Sequence, residues 1–412
     1  MPIGILQHLA RESALIKSDT IQRTLEAIRT HLEMDVAYVS EFVGNFSVMR
    51  QVDAPGLEEL VKPGDANSLD DVYCRHILEG RLPELMPDTS QIPFAAAMPI
   101  TAMIGSHVSV PLRRPDGETY GMFCCFSSKP KPSLNERDLN ITRAFASLAA
   151  EQIGRDLEST RERDEKIARI RSAIDAEAFS PVLQPIVDLY SNQTMGYECL
   201  TRFAALPVRT PDLWFNEAAE VGLGTELELA ALRAALKSFA HLPEDVTLSL
   251  NAAPETLLHE GFPAIFAGWP MNRVVLEVTE HAEAADYDAL RVALKPMRAK
   301  GLKLAVDDAG AGYASLHHIL KLEPDMIKLD MSLTRDVHTD PAKRSLAAAL
   351  LLFARQTGSE IVAEGIETAE ELEVLKALGI SKGQGYLLGH PVPLEEAVAS
   401  LKSATAAPYI FS

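Results

Sequence analysis

The sequence predicts an α/β protein in two parts, the second of which is a (β/α)8 barrel. The chain has 412 residues, of which 47% are hydrophobic, so it can fill the cores of two domains. From Ala178 onward, short apolar runs alternate with amphipathic segments of helical period. Roughly seven such runs follow one another, and this alternation is typical of βα units that close into a parallel barrel.

The first part of the chain, to about Pro132, carries mixed helix and strand patterns. VAYVSEFVGNFSVMRQVDA predicts two strands with a turn near Gly44 and Asn45. HVSVPLRRPDGETYGMFCCFSS predicts a hairpin that turns at residues 115–117. We therefore predict a small α/β domain over residues 1–135.

A long helical segment follows the first part. Ser133 and Glu136 have the spacing of a capping box, and no Gly–Pro cluster interrupts the pattern before Pro181. Apolar positions give way to a charged stretch and then resume. We expect one or two helices over residues 136–175 that link the two parts and can pair with a second copy. The alternative is a surface helix that packs on its own domain.

The barrel is expected over residues 176–405. Its candidate strands are TMGYECLTRF, VTLSLNA, RVVLEVTE, LKLAVDD, MIKLD, EIVAEG and the segment around GQGYLLG. Its candidate helices are LWFNEAAEVG, ELELAALRAALKSFAHL, YDALRVALKPMRAKG, SLAAALLLFARQTG and EELEVLKALG. Thr225 and Glu228 have the spacing of a capping box at the start of the second helix.

Charge and cysteine content narrow the class of protein. The formal net charge of -19 argues against binding duplex nucleic acid through a broad basic face, although metal ions can still bring a phosphate ligand to an acidic site. No apolar stretch is long enough for membrane insertion, and the N-terminus lacks the basic start of a signal peptide. Cys74, Cys124, Cys125 and Cys199 form no CxxC pair, so we expect reduced thiols and a cytoplasmic location.

Polar side chains end nearly every candidate strand of the second part. They are Glu198, Asn251, Glu277, Asp307, Asp308, Lys328, Glu364 and Gln384. The C-terminal ends of the strands of a (β/α)8 barrel meet at one mouth, which carries the active site. We therefore expect these side chains, scattered in sequence, to converge in space.

A single Glu after a strand is usually a solvated loop residue or a helix cap, but a converging set is different. Several carboxylates in one apolar-walled mouth repel each other and acquire raised pKa values unless a cation joins them. Oxygen donors of this kind bind Mg²⁺ or Mn²⁺. The adjacent Asp307 and Asp308 are suited to bind two metal ions at once. Two neighbouring metal ions can stabilise the attacking and the leaving oxygen of an in-line displacement at phosphorus. The sequence therefore predicts two divalent cations, Mg²⁺ or Mn²⁺, at a phosphodiester site.

From about residue 170 to 405, the ordered motifs resemble those of the EAL-domain phosphodiesterases, which hydrolyse cyclic di-GMP to linear 5'-pGpG. The matching segments are YECLTRF, LSLNAAPETL, LEVTE, DDAGAGY, IKLD, AEGIE and GQGYLLGHPVP. The resemblance implies an EAL barrel and a set of metal ligands. The implied ligands are Glu198, Asn251, Glu277 and Asp307 for the first ion, and Asp307, Asp308 and Glu364 for the second.

The resemblance also implies catalytic and substrate-binding roles. Lys328 would position or activate the attacking water, and Glu364 would act as a general base through that water. Glu367 would brace the loop after the aspartates. Gln384 would line the site, and Arg202 would contact a phosphate of the substrate. From the residues alone, an ordinary surface salt bridge explains Arg202 equally well.

Three positions depart from the EAL pattern. Cys199 stands in the Ala position of the Glu-Ala-Leu motif, where a free Cys acts as a small hydrophobe. Ala309 and Ala311 replace a Phe and a Thr in the loop after the aspartates, and this change is expected to lower activity or alter regulation without removing a metal ligand. No Gly-Gly-Asp-Glu-Phe segment occurs, so the sequence does not support synthesis of the same nucleotide.

The first part resembles a GAF domain in DVYCRHILEGRLPELMPDT, in SVPLRRPDGETYGMFCCFSS and in the helix after Ser133. GAF domains are sensory modules that bind small ligands or pair with a second copy, and the ligand here is unknown. A bilin attached at Cys74 is disfavoured because Arg75 separates it from His76. A haem or metal at His76 or His107 is also less favoured than a packed Cys with an unknown ligand or none.

Together these observations predict a cytoplasmic, metal-dependent cyclic di-GMP phosphodiesterase that is regulated by its GAF domain and forms a homodimer. The main alternative is an EAL domain that is catalytically weak or inactive and acts as a cyclic di-GMP sensor or a protein-interaction module. The retained acids and Lys328 favour the enzyme, whereas Ala309 and Ala311 favour the alternative. A barrel enzyme for another phosphodiester is a third reading, against which Arg202 and the motif set argue.

Overall fold

The computed structural model describes residues 19–278, 286–310 and 319–406. The chain divides into two compact units, Met1–Arg163 and Asp164–Ser412, which we call the front unit and the barrel unit. Helix α4, Glu136–Asp175, is continuous across the point of division.

The described part of the front unit is built on an antiparallel sheet in the order β3-β2-β1-β6-β5-β4. The strands are β1 Val36–Val43, β2 Phe46–Asp53, β3 Ala66–Ser68, β4 Leu85–Met86, β5 Ser106–Arg113 and β6 Thr119–Ser127. The helices are α1 Asp19–Leu32, α2 Tyr73–Leu78, α3 Pro93–Ala96 and α4 Glu136–Asp175, with 3₁₀ turns at Thr89–Gln91 and Pro99–Ala102. Both predicted hairpins are confirmed, with turns between β1 and β2 and between β5 and β6.

The two faces of this sheet carry separate cores, because successive side chains of a strand point to opposite sides. On one face, Ala37 and Val39 pack with α1 and with the first half of α4. On the other face, Val36 and Tyr38 pack with α2 and with the loops that precede β5.

Helix α4 is a single helix of 40 residues, where the sequence predicted one or two. Its capping residue lies later than predicted. Asn135, not Ser133, accepts the hydrogen bond from the backbone N–H of Arg137, and the Asp138 carboxylate accepts from the backbone N–H of Asn135. The prediction of a Ser133–Glu136 capping box was wrong because Asn is as good a cap as Ser and stands next to the first helical residue.

In the described part of the barrel unit, eight strands close in the order β14-β13-β12-β11-β10-β9-β8-β7, and β14 pairs back onto β7. The strands are β7 Phe179–Asp188, β8 Thr194–Phe203, β9 Thr247–Asn251, β10 Val274–Val278, β11 Lys303–Ala309, β12 Met326–Leu329, β13 Glu360–Ala363, β14 Lys382–Gly383 and the additional edge strand β15 Val392–Pro393.

Helices cover the outside of the barrel, as the alternating pattern predicted. They are α5 Pro211–Glu220, α6 Gly224–Leu236, α7 Pro254–Leu257, α8 Tyr287–Arg298, α9 Met331–Thr334, α10 Pro341–Thr357, α11 Ala369–Leu378 and α12 Leu394–Ala406, with 3₁₀ turns at Lys237–Ala240, Pro263–Phe266 and Met271–Arg273. Within the described ranges, no helix has both the length and the apolar character that a membrane crossing requires.

The first strand of the barrel corrects the prediction of a wholly parallel sheet. β7 pairs antiparallel with β8 and with β14, so the barrel is mixed. β7 was not among the predicted strands because Pro181 and Pro185 lie inside it, and proline normally argues against a strand that is paired on both sides. The predicted strand around GQGYLLG is also mostly wrong, since pairing stops at Gly383 and the following residues form turns.

The predicted capping box of the second barrel helix does not form. Helix α6 begins at Gly224, and Leu223, the residue before it, supplies no side-chain cap. The Glu228 carboxylate instead accepts a hydrogen bond of 3.0 Å from the backbone N–H of Ala253. This contact ties α6 to the chain just beyond the C-terminal end of β9, where one of the predicted site residues lies.

Candidate active site

The side chain of Lys328 lies at the centre of the barrel mouth, on β12, and is 2% exposed. Its Nζ donates to Glu277 Oε2 at 2.7 Å on β10 and lies 2.8 Å from Glu364 Oε1, just after β13. It lies 3.2 Å from Asp307 Oδ1 on β11 and 3.6 Å from Glu198 Oε2 on β8. These five residues, which we call the Lys328 cluster, converge as predicted.

Glu198 is held by two amide side chains. Asn251 Nδ2 donates to its Oε1 at 3.0 Å, and Gln384 Nε2 donates to its Oε2 at 2.6 Å. Gln384 Nε2 also donates to Gln184 Oε1 at 2.9 Å, and Gln184 Nε2 donates to the carbonyl of Gly389 at 3.3 Å. The orientation of the Glu198 carboxylate is therefore set from both sides by neutral donors.

Parallel register explains why distant residues meet here. Glu277 lies opposite Asn251 between β10 and β9, and Glu198 lies one strand further along on β8. Lys328 lies opposite Val362, which places Glu364 just beyond it at the end of β13. Since these strands run the same way, their C-terminal polar residues share one edge.

Burial and the neighbouring polar and charged groups compete in setting the pKa values of the Lys328 cluster. Burial lowers the pKa of Lys328, but the surrounding carboxylates outweigh it and raise that pKa well above its usual range. Burial raises the pKa of Glu277 well above its ordinary value and raises the pKa of Glu364 to about 8, against the opposing attraction of Lys328. Burial also acts on Glu198, yet Lys328, Gln384 and Asn251 hold its pKa below its ordinary value.

The cluster has more negative than positive charge. Four carboxylates lie within 3.6 Å of Lys328 Nζ, and Lys328 is the only cation that the described residues bring to them. Buried carboxylates are costly unless cations pair with them or protons neutralise them. This imbalance fits a site that accepts further positive charge.

A second group of carboxylates lies at the edge of the cluster. Among the described residues, Asp307, Asp308 and Glu364 each offer an oxygen within 4.8 Å of the others' oxygens, which is close enough to share an ion. Asp308 has a φ of +54°, a conformation that is strained for a non-glycine residue. Its backbone N–H donates to Asp307 Oδ1 at 3.0 Å. The strained turn thus presents both aspartates at the mouth.

The loop after the aspartates requires its first glycine. Gly310 has a φ of +109°, and a Cβ at this position would meet Leu333 Cδ1. Ala309 is buried, and its pairing with Leu329 extends β11 beyond the aspartates. Ala311, the other departure from the EAL pattern, lies outside the described residues.

Two cavities of the barrel unit open beside the cluster. One has a volume of about 330 Å³, and its lining includes Glu198, Asp308, Glu364, Glu367 and Gln384. The other has a volume of about 470 Å³, and its lining includes Arg202 and Asn251. Leu200 borders both cavities, so they are neighbours.

Two predicted site residues lie apart from the Lys328 cluster. Arg202 is exposed and lies on the wall of the second cavity. Its guanidinium donates to the carbonyl of Thr201. Glu367 is 40% exposed and forms an ion pair of 2.7 Å with Arg335. The structure therefore does not bring the Glu367 carboxylate into the cluster with the other two predicted catalytic residues, Lys328 and Glu364.

Sequence reasoning missed three residues of the site. Gln184 holds Gln384, and Asp330 and Tyr386 line the first cavity. Gln184 was missed because its strand was missed, although the run VLQPIVDL contains a polar residue among apolar ones. Asp330 is the last residue of the predicted strand MIKLD, so the rule that identified the other strand-end residues could have identified it as well. Cys199 behaves as predicted, since it is buried and burial raises the pKa of its thiol to about 12.

Comparison with known protein families gives two matches. A family model described as the EAL domain matches residues 167–391, more than half of the chain. A family model described as the GAF domain matches residues 17–153. The two matches correspond to the two parts that the sequence motifs distinguished.

Comparison with individual proteins agrees with the match to the EAL family model. An uncharacterized signaling protein of Caulobacter vibrioides is 28% identical over 77% of this chain and 39% of its own length. A cyclic di-GMP phosphodiesterase of Pseudomonas aeruginosa is 33% identical over 53% of this chain and 39% of its own length. The chain thus spans about two fifths of these curated relatives. A solved structure described as the PaMucR phosphodiesterase in complex with c-di-GMP has a TM-score of 0.50 and 26% identity, covering 57% of this chain and 99% of that one.

Proposed function

The chain belongs to the EAL-domain family, and from this premise we propose that it is a metal-dependent phosphodiesterase that hydrolyses cyclic di-GMP to linear 5'-pGpG. The observation that carries the proposal is the Lys328 cluster, in which buried carboxylates outnumber the cation at the mouth of a barrel. The names of the Pseudomonas relative and of the PaMucR structure support cyclic di-GMP as the substrate.

The residues of the mouth fit two divalent cations, Mg²⁺ or Mn²⁺. Hard cations prefer carboxylate and amide oxygens, and the four carboxylates around Lys328 Nζ exceed the one positive charge there. Such ions supply Lewis acidity and acidify water. The residues that would hold them are Glu198, Asn251, Glu277 and Asp307 for one ion and Asp307, Asp308 and Glu364 for the other.

Two residues have assignable roles in the hydrolysis. Water adds to phosphorus, the bond from phosphorus to the 3' oxygen breaks, and that oxygen leaves with a proton while the phosphate stays on the 5' oxygen. Glu364 would accept the proton of the attacking water in its ionised form, which bound cations would favour over the protonated form that burial favours without them. Lys328 keeps its proton, because its pKa is raised, so it would donate hydrogen bonds rather than act as a base.

The substrate would span the two neighbouring cavities. Cyclic di-GMP carries two phosphates, and Arg202 on the wall of the second cavity would contact the one that is not cleaved. Gln384 would act through Glu198 rather than on the substrate, because its amide donates to that carboxylate. Glu367 would support the mouth through Arg335 and not take part in proton transfer.

We also infer the setting in which the enzyme acts. The chain would form a homodimer in the cytoplasm, and its GAF domain, bounded near residue 135 and linked by residues 136–175, would regulate the EAL domain of residues 176–405. The four buried, free cysteines support a reducing compartment. Light scattering on a size-exclusion column tests the dimer, and a monomer mass at micromolar protein would contradict it.

The proposed activity is tested by incubating the purified chain with cyclic di-GMP and Mg²⁺ or Mn²⁺ and following linear pGpG by chromatography. We expect product with either ion and none after EDTA. Product that persists after EDTA treatment would contradict the metal requirement. Bound but uncleaved cyclic di-GMP would favour the sensor alternative, and absence of both binding and cleavage would overturn the substrate assignment.

A further inference from the structure

One face of the front unit's sheet buries a group of polar side chains that the proposed hydrolysis does not use. The group, which we call the thiol cluster, lies under helix α2. Its members are Tyr38, Ser47, Cys74, His107, Ser109 and Cys124, each less than a tenth exposed. Polar groups in an apolar core are costly unless they contact one another.

Cys124 is at the centre of the thiol cluster. In the sheet register it lies opposite Tyr38 on β1 and opposite Ser109 on β5. Ser109 Oγ lies 3.0 Å from Cys124 Sγ. Cys74, on α2, has its thiol within hydrogen-bonding reach of the Cys124 thiol and of Ser47. Two thiols from distant parts of the sequence therefore meet over the middle of the sheet.

The surroundings favour the thiolate of Cys124. Burial raises its pKa, but hydrogen bonds from Cys74, His107 and Ser109 outweigh burial and hold that pKa well below its ordinary value. His107 packs edge-on against the ring of Tyr73, 5.1 Å between centroids, so its position is fixed next to Cys74. A thiolate is the form of cysteine that reacts with oxidants.

Cys125 provides an internal contrast on the same strand. It points to the opposite face, where its cross-strand neighbours are Ala37 and Val108. Burial raises the pKa of its thiol well above the ordinary value. Two adjacent cysteines of equal burial thus have opposite chemical settings, and only Cys124 lies next to a second thiol.

A cavity leads to the thiol cluster. It has a volume of about 490 Å³ within the front unit, and its lining includes Tyr38, Ser47 and Val72. Tyr38 and Ser47 are the two members of the thiol cluster that the cavity touches, and Val72 directly precedes α2. A small neutral oxidant that enters this cavity reaches side chains in contact with both thiols.

We propose that Cys74 and Cys124 form a disulfide on reaction with a hydroperoxide, so that this pair is an oxidative modification site of the front unit. The Cys124 thiolate attacks the distal oxygen of the hydroperoxide, the O–O bond breaks, and the alkoxide (hydroxide when the oxidant is hydrogen peroxide) leaves as Cys124 becomes a sulfenic acid. The Cys74 thiol then attacks that sulfur, the S–S bond forms, and water leaves. The peroxide gains the two electrons that the thiols lose, and the disulfide ties α2 to β6.

The test is peroxide treatment of the full chain, followed by alkylation of the remaining thiols in denaturant, digestion and mass spectrometry. We expect a cross-linked peptide that contains Cys74 and Cys124, lost on addition of dithiothreitol, while Cys125 and Cys199 stay alkylated. This experiment uses the unaltered sequence and does not depend on the activity of the barrel. Free Cys124 at peroxide levels that oxidise exposed methionines would overturn the proposal, as would cross-links through Cys125 or Cys199 or between chains.

Two variants test the order of the steps. Cys74→Ser removes the second thiol, so Cys124 should accumulate as a sulfenic acid that dimedone traps. Absence of that adduct would overturn the assignment of Cys124 as the thiol that reacts first. Cys125→Ser is the matched control, an equally buried neighbour on the same strand, and it should form the Cys74–Cys124 cross-link at an unchanged rate.

Discussion

The barrel mouth and the thiol cluster both bury polar side chains, but they balance them in different ways. At the mouth, four carboxylates surround Lys328, so negative charge is in excess there. In the front unit, a thiol, two hydroxyls and an imidazole surround Cys124, whose pKa is held below its ordinary value. Several buried carboxylates in excess of the cation among them call for a further cation, whereas the single thiolate of the thiol cluster is stabilised by the thiol, imidazole and hydroxyl groups around it.

The largest effect is expected from Glu364→Gln, which removes a ligand of one proposed ion and the proposed base. Altering a residue that only supports a metal ligand costs about 10–100-fold, so turnover of cyclic di-GMP should fall by at least about 100-fold. In the absence of metal the variant should be no less stable, because the pKa of about 8 keeps this carboxyl mostly protonated at neutral pH. Glu360→Gln is the control, since Glu360 begins the same strand at the other end and is paired at the surface with Lys382.

Lys328→Met should destabilise the metal-free barrel. Removing one partner of a buried ion pair leaves uncompensated charge and costs about 3–5 kcal/mol. The loss of stability should shrink when Mn²⁺ is added, because ions then supply the missing charge. Urea denaturation followed by tryptophan fluorescence measures both quantities. Equal stability of Lys328→Met and of the exposed-lysine control Lys300→Met would contradict the charge imbalance on which the site rests.

Gln184→Ala should weaken metal binding without abolishing turnover. Gln184 holds Gln384, which in turn donates to Glu198, so its loss frees the orientation of a proposed ligand. We expect the Mn²⁺ concentration for half-maximal activity to rise about 10-fold, at the low end of such indirect effects, with turnover at saturating Mn²⁺ nearly unchanged. A fall in turnover alone would indicate a direct role on the substrate. Gln193→Ala is the control, because Gln193 is exposed and lies in the turn that follows the C-terminal end of β7.

Stability of the metal-free protein should depend on pH. The pKa of Glu364 is raised from 4.5 to about 8 on folding, so the folded state holds a proton that the unfolded state has lost. This stabilisation is complete below about pH 4.5 and disappears as pH rises through about 8. Between pH 6 and pH 9 the midpoint of denaturation should therefore fall in EDTA, and Mn²⁺ should stabilise more at pH 8 than at pH 6 because binding displaces the proton. A midpoint that rises over this range in EDTA would contradict the assignment.

The smallest effect is expected from Ser109→Ala in the front unit. It removes the hydroxyl that lies 3.0 Å from Cys124 Sγ and should cost about 1 kcal/mol of stability. The rate of peroxide oxidation at Cys124 should fall, since one of the groups that lowers its pKa is lost. Turnover by the barrel in reducing buffer should not change. An unchanged oxidation rate would show that Ser109 does not support the thiolate.

The sequence predicted much of the barrel mouth because its chemistry follows a simple local rule. Glu277, Asp307 and Lys328 each lie at the end of an apolar run, and parallel strands bring their ends together. The rule failed for Gln184, whose strand contains two prolines and runs antiparallel. It also could not foresee that Glu367 pairs with Arg335, since that contact depends on how a turn after β13 meets the end of α9.

The thiol cluster could not be predicted from local patterns. Cys74 and Cys124 are 50 positions apart in the sequence, and their meeting depends on the packing of α2 over β6. The sequence suggested only a packed cysteine at Cys74, and the alternation of β6 alone could not reveal which of Cys124 and Cys125 faces that helix. Tertiary packing, not periodicity, distinguishes the two.

The most direct test of the charge imbalance is to count bound ions. Metal-stripped protein would be titrated with Mn²⁺ at pH 8, and free Mn²⁺ would be followed by its electron paramagnetic resonance signal. We expect saturable binding of two ions per chain for the unaltered protein and for Glu360→Gln, with loss of one ion in Glu364→Gln. No saturable binding in the unaltered protein would contradict it, because the carboxylates around Lys328 would then be balanced by protons alone.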